Sequence, residues 1–192
     1  MALFGVAAAL TFFLASRAGS ARDARWPGGA VNVWAPTQGT IDTMIVAAKR
    51  WNASGAKVNV RVVRDRRDAD VIVVRDDRRL HTVCGRRCFG YTTVRGGPGE
   101  LLLRESLDHL TPLSVWVAVH ELGHVLGLRH DTAHRCTVMS PHWFDTHCAP
   151  SLSTTKGSVF DPRCAPAPVD VEAAAKLYGG AVASRDPYCS AA

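Results

Sequence analysis

The stretch His120-Glu121-Leu122-Gly123-His124-Val125-Leu126-Gly127-Leu128-Arg129-His130 decides how the rest of this chain is read. Its pattern is H-E-x-x-H-x-x-G-x-x-H. Histidines four apart on a helix share one face, with Cβ atoms about 5–6 Å apart, so both rings can reach one metal ion. Gly127 lacks a Cβ and can take the left-handed conformation that ends a helix. The chain then turns back, and His130 can arrive as a third nitrogen ligand. Three protein ligands leave a tetrahedral zinc one position open for water, the arrangement of a catalytic rather than a structural site. Glu121 follows the first ligand directly and stands beside that water as candidate general base. The plain alternative is a buried amphipathic helix whose histidines satisfy core hydrogen bonds. Chance supplies the five fixed residues at this spacing in on the order of one chain in 10^5 of this length, which favours the metal.

Working outward, Thr111 is placed to cap the motif helix, and Pro112 to occupy its first position, where a missing N–H costs nothing. Leu113, Trp116, Val117, His120 and His124 recur at helical spacing, so the ligand face continues the core-facing stripe. Upstream, strands and a helix alternate. Val31 to Trp34 reads as a strand, and Thr40 to Trp51 as a helix stopped by Asn52 to Gly55. Val58 to Val63 alternates like a half-exposed strand, and Asp70 to Val74 carries the unbroken apolar run Val71-Ile72-Val73-Val74, as in a strand buried on both faces. Phe89 to Val94 is a fourth strand. Gly96-Gly97-Pro98-Gly99 is a turn, and Glu100 to Arg104 a fifth strand. Downstream, an irregular segment from Pro141 to Pro168 precedes a last helix, Val171 to Tyr178, which Asp170 is expected to cap and Gly179-Gly180 to end.

The extended zinc motif resembles that of the metzincin clan of zinc endopeptidases. Their second mark is a tight turn carrying a methionine beneath the metal. Cys136-Thr137-Val138-Met139-Ser140-Pro141 is similar to it, with Met139 nine positions beyond His130. Asp68-Ala69-Asp70-Val71-Ile72-Val73 is similar to the third strand of matrixin-type members, and Leu177-Tyr178-Gly179 to the end of their C-terminal helix. The resemblance spans roughly Val31 to Gly180. It implies an α+β fold with an α/β-like upper half: a twisted mixed sheet of about five strands, an active-site helix, a Met-turn and a C-terminal helix. It also implies an extended substrate paired along the edge strand Phe89 to Val94. Ser140-Pro141-His142-Trp143 would wall the pocket for the residue after the cut. The tyrosine ligand that some metzincins carry two residues past the methionine is replaced by Pro141. Some members use an aspartate as third ligand, and Asp131 adjoins His130. His130 is preferred because it sits at the third spacing after Gly127, and neutral imidazole leaves zinc its full charge; Asp131 would then steady the loop.

The chain of 192 residues suits one domain with a sizeable core. Ala2 to Ala15 is an apolar run of fourteen residues, too short to span about 30 Å of bilayer but suited to a signal peptide. Residues 1–21 are therefore expected to be the signal and 26–192 a single catalytic domain, with no room between them for a folded prodomain. Every cysteine lies at position 84 or later, so the cysteine switch of vertebrate matrixins is not expected, and no calcium-loop pattern is evident. The six cysteines agree with export to an oxidising compartment. They allow fifteen pairings; proximity favours Cys84–Cys88, Cys136–Cys148 and Cys164–Cys189. A zinc knuckle on Cys84 and Cys88 would need a second pair at ligand spacing, which is missing.

The formal charge is +6, from 23 Lys+Arg against 17 Asp+Glu. Nine arginines between Arg61 and Arg87 are offset by five aspartates. Interleaved charge of this kind marks a solvated face rather than a nucleic-acid groove. His81 and His109 lack partners at metal spacing, and His134, His142 and His147 are read as surface residues. The expectation is a secreted, monomeric zinc endopeptidase acting on protein or peptide, with no specific nucleic acid and no stable membrane association. Its rivals are a zinc hydrolase of a non-peptide amide and a secreted cationic binding module with a structural metal.

Overall fold

The computed structural model describes residues 26–93, 99–134, 137–141 and 165–183. The expected signal segment, the Gly96 to Pro98 part of the turn, Cys136, Cys148, Cys164, Cys189 and the wall residues His142 and Trp143 lie outside the described residues.

Five strands form one mixed sheet in the order β2-β1-β3-β5-β4. They are β1 (Ala30–Trp34), β2 (Asn59–Val62), β3 (Val71–Arg75), β4 (Gly90–Thr93) and β5 (Gly99–Leu103). β1 runs parallel to β2 and β3, and β3 parallel to β5, with Val31 opposite Val60 and Val73 opposite Leu101. β4 alone runs antiparallel, pairing Tyr91 with Leu102, and it forms one edge of the sheet. The parallel pair β1 and β2 needs a crossover, which α1 (Gln38–Asn52) supplies.

Alternation along the strands sends Val31, Val33, Val60, Val71, Val73, Leu101 and Leu103 into one core. There they meet Met44, Ala47, Ala48 and Trp51 of α1, and Val115, Val119 and Leu122 of α3 (Pro112–Val125). Trp51 ties the two helices by donating its indole N–H to the Val119 carbonyl at 2.9 Å, which satisfies the polar end of a fully buried ring. Ile72 and Val74 are only half-buried, so β3 is not covered equally on both faces as its apolar run suggests. Leu80 of α2 (Asp77–Cys84) and Leu102 are buried outside the main cluster.

Helix α2 is not among the elements that the sequence predicts. Its eight residues bury only Leu80, so there is no apolar stripe to detect. Its start is nevertheless signalled by Asp76, whose side chain accepts the Arg79 N–H at 2.8 Å. The last helix, α4 (Pro168–Tyr178), begins earlier than expected. Asp170 is therefore not its cap but its third residue, reaching back to accept the Ala167 N–H at 2.8 Å. Among the described residues no helix is long and apolar enough to cross a membrane.

Candidate metal centre and cleft

Thr111 and Ser114 form a reciprocal capping box at the start of α3. With Pro112 in the first turn, the helix starts as its sequence predicts. At the other end the Leu128 N–H reaches the Gly123 carbonyl and the Gly127 N–H reaches that of His124, both at 2.9 Å. This is a Schellman ending. It requires a left-handed residue, and Gly127 has φ 87°. The chain reverses there and brings His130 back over the helix.

The three imidazole Nε2 atoms converge. His124 lies 3.1 Å from His120 and 3.1 Å from His130, and His130 lies 3.3 Å from His120. His120 Nδ1 meets the Val138 carbonyl, and His124 Nδ1 meets that of Leu128 at 2.9 Å. A ring that donates from Nδ1 presents a lone pair at Nε2. Lone pairs facing one another at this distance repel unless a cation lies between them. Nitrogens about 2.0–2.1 Å from one tetrahedral zinc stand about 3.3 Å apart, so the donor set fits the ion that the motif predicts. Burial, then the neighbouring His124, hold His120 down at about 3, and burial lowers His124 too, so both stay neutral.

Asp131 turns to its own loop. Its carboxylate accepts the Ala133 and His134 N–H groups at 2.9 and 3.0 Å and meets His134 Nδ1 at 2.9 Å. Its own N–H donates to the Met139 carbonyl at 2.9 Å. His134 is exposed at the surface, as expected. Met139 is buried against the motif helix at Gly123. Its sulfur packs so tightly on Gly123 that a Cβ there would come within 2.3 Å of Sδ. The helix glycine is thus a packing requirement of the Met-turn. Asp170 holds the same turn from the other side, accepting the N–H groups of Val138 at 3.0 Å and Met139 at 3.3 Å.

Glu121 is 3% exposed, and burial pushes its carboxyl up to about 7 against a hydrogen bond that lowers it. That bond comes from Thr92 on β4, whose hydroxyl lies 2.6 Å from Oε2. Gly90, also on β4, allows the approach: a Cβ there would come within 2.5 Å of Oε1. Neither contact is expected from the sequence. A glycine inside a strand signals close approach of another group, so Gly90 carried a usable hint; Thr92 carried none. Trp116 stacks on His120 with ring centroids 5.5 Å apart.

These groups lie in a cleft of about 640 Å³, walled by β4, α3, the turn to His130, Ser140 and Pro141. A disulfide joins Cys84 and Cys88 at its rim, as proximity suggested. Trp26 closes the back of the assembly. Its indole donates to the Val125 carbonyl at 2.7 Å, while the Tyr178 hydroxyl donates to that of Leu126 at 3.0 Å.

A mixed five-stranded sheet with an antiparallel edge, a histidine-bearing helix, a methionine turn beneath it and a C-terminal helix together define a metzincin-type fold. The chain belongs to the matrixin family of peptidases, whose sequence model matches residues 32–154. It is also similar to solved structures. High choriolytic enzyme 1, a hatching enzyme zinc-protease from Oryzias latipes (medaka fish), is 21% identical with a TM-score of 0.37, covering 55% of this chain and 48% of that one. Myroilysin is 15% identical with a TM-score of 0.40, covering 57% of this chain and 48% of that one. The chain thus aligns with about half the length of each. A comparison with curated protein sequences finds no match.

Proposed function

We propose that the protein is a secreted, monomeric zinc endopeptidase in which His120, His124 and His130 hold the metal and Glu121 is the general base. In this reading residues 1–21 are the signal peptide and 26–192 the catalytic domain. The observation that carries it is the convergence of three Nε2 atoms within 3.1–3.3 Å of one another, beside a buried carboxylate, in an open cleft.

Zinc, when bound, supplies a water acidic enough to attack at neutral pH and an electrophile that polarises the scissile carbonyl. The chain supplies position and proton transfer. The Val138 and Leu128 carbonyls orient the two helical rings. Glu121, with its carboxyl near neutrality, can take a proton from the attacking water and return it to the leaving amine. The Thr92 hydroxyl on Oε2 keeps that carboxylate in one orientation, which lowers the cost of aligning it in the transition state. The outer edge of β4 offers main-chain groups to an extended peptide, adding a strand to the sheet.

A casein or gelatin zymogram tests the reading. A cleared band that disappears with chelator and returns with zinc supports it. Zinc binding without clearing points to a structural metal or a non-peptide substrate.

A further inference from the structure

Of the nine arginines of the Arg61 to Arg87 stretch, three are held in ion pairs. Arg67 pairs with Asp65 at 2.7 Å, Arg75 with Asp108 at 2.7 Å and Arg79 with Glu100 at 2.5 Å. Arg66 lies over the Trp34 ring. Arg61, Arg64 and Arg78 make no ion pair among the described residues, and neither do Arg86 and Arg87. Arg86 and Arg87 are exposed and sit in the loop that the Cys84–Cys88 disulfide closes, with the Cys88 N–H on the Gly85 carbonyl at 3.1 Å. The acidic groups of the flanking elements are engaged elsewhere: Glu100 with Arg79, and Asp77 with the main-chain N–H of Glu105. Arg104 holds the Arg86 carbonyl and lies over Phe89, adding a third cation behind the loop.

Arg87 lines the cleft, and among the described lining residues it is the one permanent cation, while Glu121 is the one carboxylate. The loop leads directly into β4. A peptide added antiparallel to β4, the slightly more stable pairing, runs from Thr93 toward Gly90. Glu121 abuts β4 at Gly90 and Thr92, so the bond cut lies opposite that part of the strand. The peptide beyond the cut then continues past Gly90 toward Arg87.

We propose that Arg87, with Arg86 beside it, is a specificity-determining residue that recognises a substrate carboxylate roughly two to four residues downstream of the cut, at about 3.4 Å per residue. The carboxylate is either an acidic side chain or the free C-terminus of a short peptide. Guanidinium pairs with carboxylate in a two-pronged geometry, and the disulfide limits how far the loop must be ordered on binding. The proposal rests on the endopeptidase reading above.

The test uses the zinc-loaded full chain and a set of quenched peptides in which one position is stepped as Glu, Gln or Lys from four residues upstream to four downstream of the cut. One arm has amidated C-termini, and another has free C-termini two to four residues past the cut. The expected result is a kcat/KM about threefold to tenfold higher for Glu than for Gln downstream, and lower for Lys. The ratio should shrink as salt is raised. A gain that follows the free terminus instead assigns the carboxylate to the peptide end. Arg87→Glu should invert the Glu-to-Lys order, and Arg87→Ala should level it. No downstream preference, an upstream one, or a preference unmoved by either substitution overturns the proposal. Absence of cleavage of every peptide overturns the endopeptidase reading itself.

Discussion

Glu121 illustrates how much a single side chain here depends on its surroundings. Its position beside His120 is a matter of sequence, but its protonation is set by burial and by Thr92. Glu121→Gln keeps the shape and can keep the Thr92 contact, yet cannot accept a proton. Turnover should fall by about two to four orders of magnitude while zinc content, measured by atomic absorption, stays stoichiometric. A variant with full zinc and near-normal turnover would remove Glu121 from the mechanism. The third ligand can be decided the same way. His130 points its Nε2 at the other two rings, whereas the Asp131 carboxylate is committed to the Ala133 and His134 N–H groups. His130→Ala should lose most of the bound zinc, and Asp131→Ala should keep it while losing some stability; the reverse ranking hands the role to Asp131.

Among the elements, α3 and the Met-turn behave as one unit, and α4 is fastened to it through Asp170. Burial pushes the Asp170 carboxyl up to about 6, against the three main-chain N–H bonds that favour its charged form. The native chain therefore keeps this proton up to about pH 6, whereas the unfolded chain releases it near 3.8. The native state binds more protons across that window, so this group's contribution to stability falls as pH rises through it, by up to about 3 kcal/mol. Asp170→Asn cannot titrate. Its denaturation midpoint, compared with that of the parent, should gain relatively between pH 4 and 6 and then stay parallel. Parallel curves throughout would show that Asp170 is charged in the fold over the whole window.

At the scale of the whole molecule, residues from both ends of the described chain converge on the last turn of α3. Trp26 and Tyr178 donate to the carbonyls of Val125 and Leu126, which a helix end otherwise leaves without partners. The turn they hold delivers His130. Trp26→Ala removes a packed ring and one of these bonds, and should cost about 2–4 kcal/mol. Because the ligand turn loosens with it, zinc affinity in a competition titration should fall as well. An unchanged affinity alongside lost stability would mean that the clamp serves the core alone.

What the sequence determined by itself is what short range controls. The spacing of His120, His124 and His130, the left-handed turn at Gly127, the Thr111 cap and the alternation of the strands all follow from helical or extended periodicity within a few residues. The fold class followed from the resemblance of the extended zinc motif to the metzincins, and the family match bears it out. What only the tertiary structure decided lies between residues far apart in the chain. Gly90 and Thr92 meet Glu121 across the cleft, Asp170 reaches the Met-turn, Gly123 makes room for Met139, and Trp26 closes the helix end. The helix α2 stayed hidden because one buried leucine leaves no periodic stripe. No local pattern records which donor will face an orphaned carbonyl or a buried carboxylate, because that pairing is set by how sheet and helices pack.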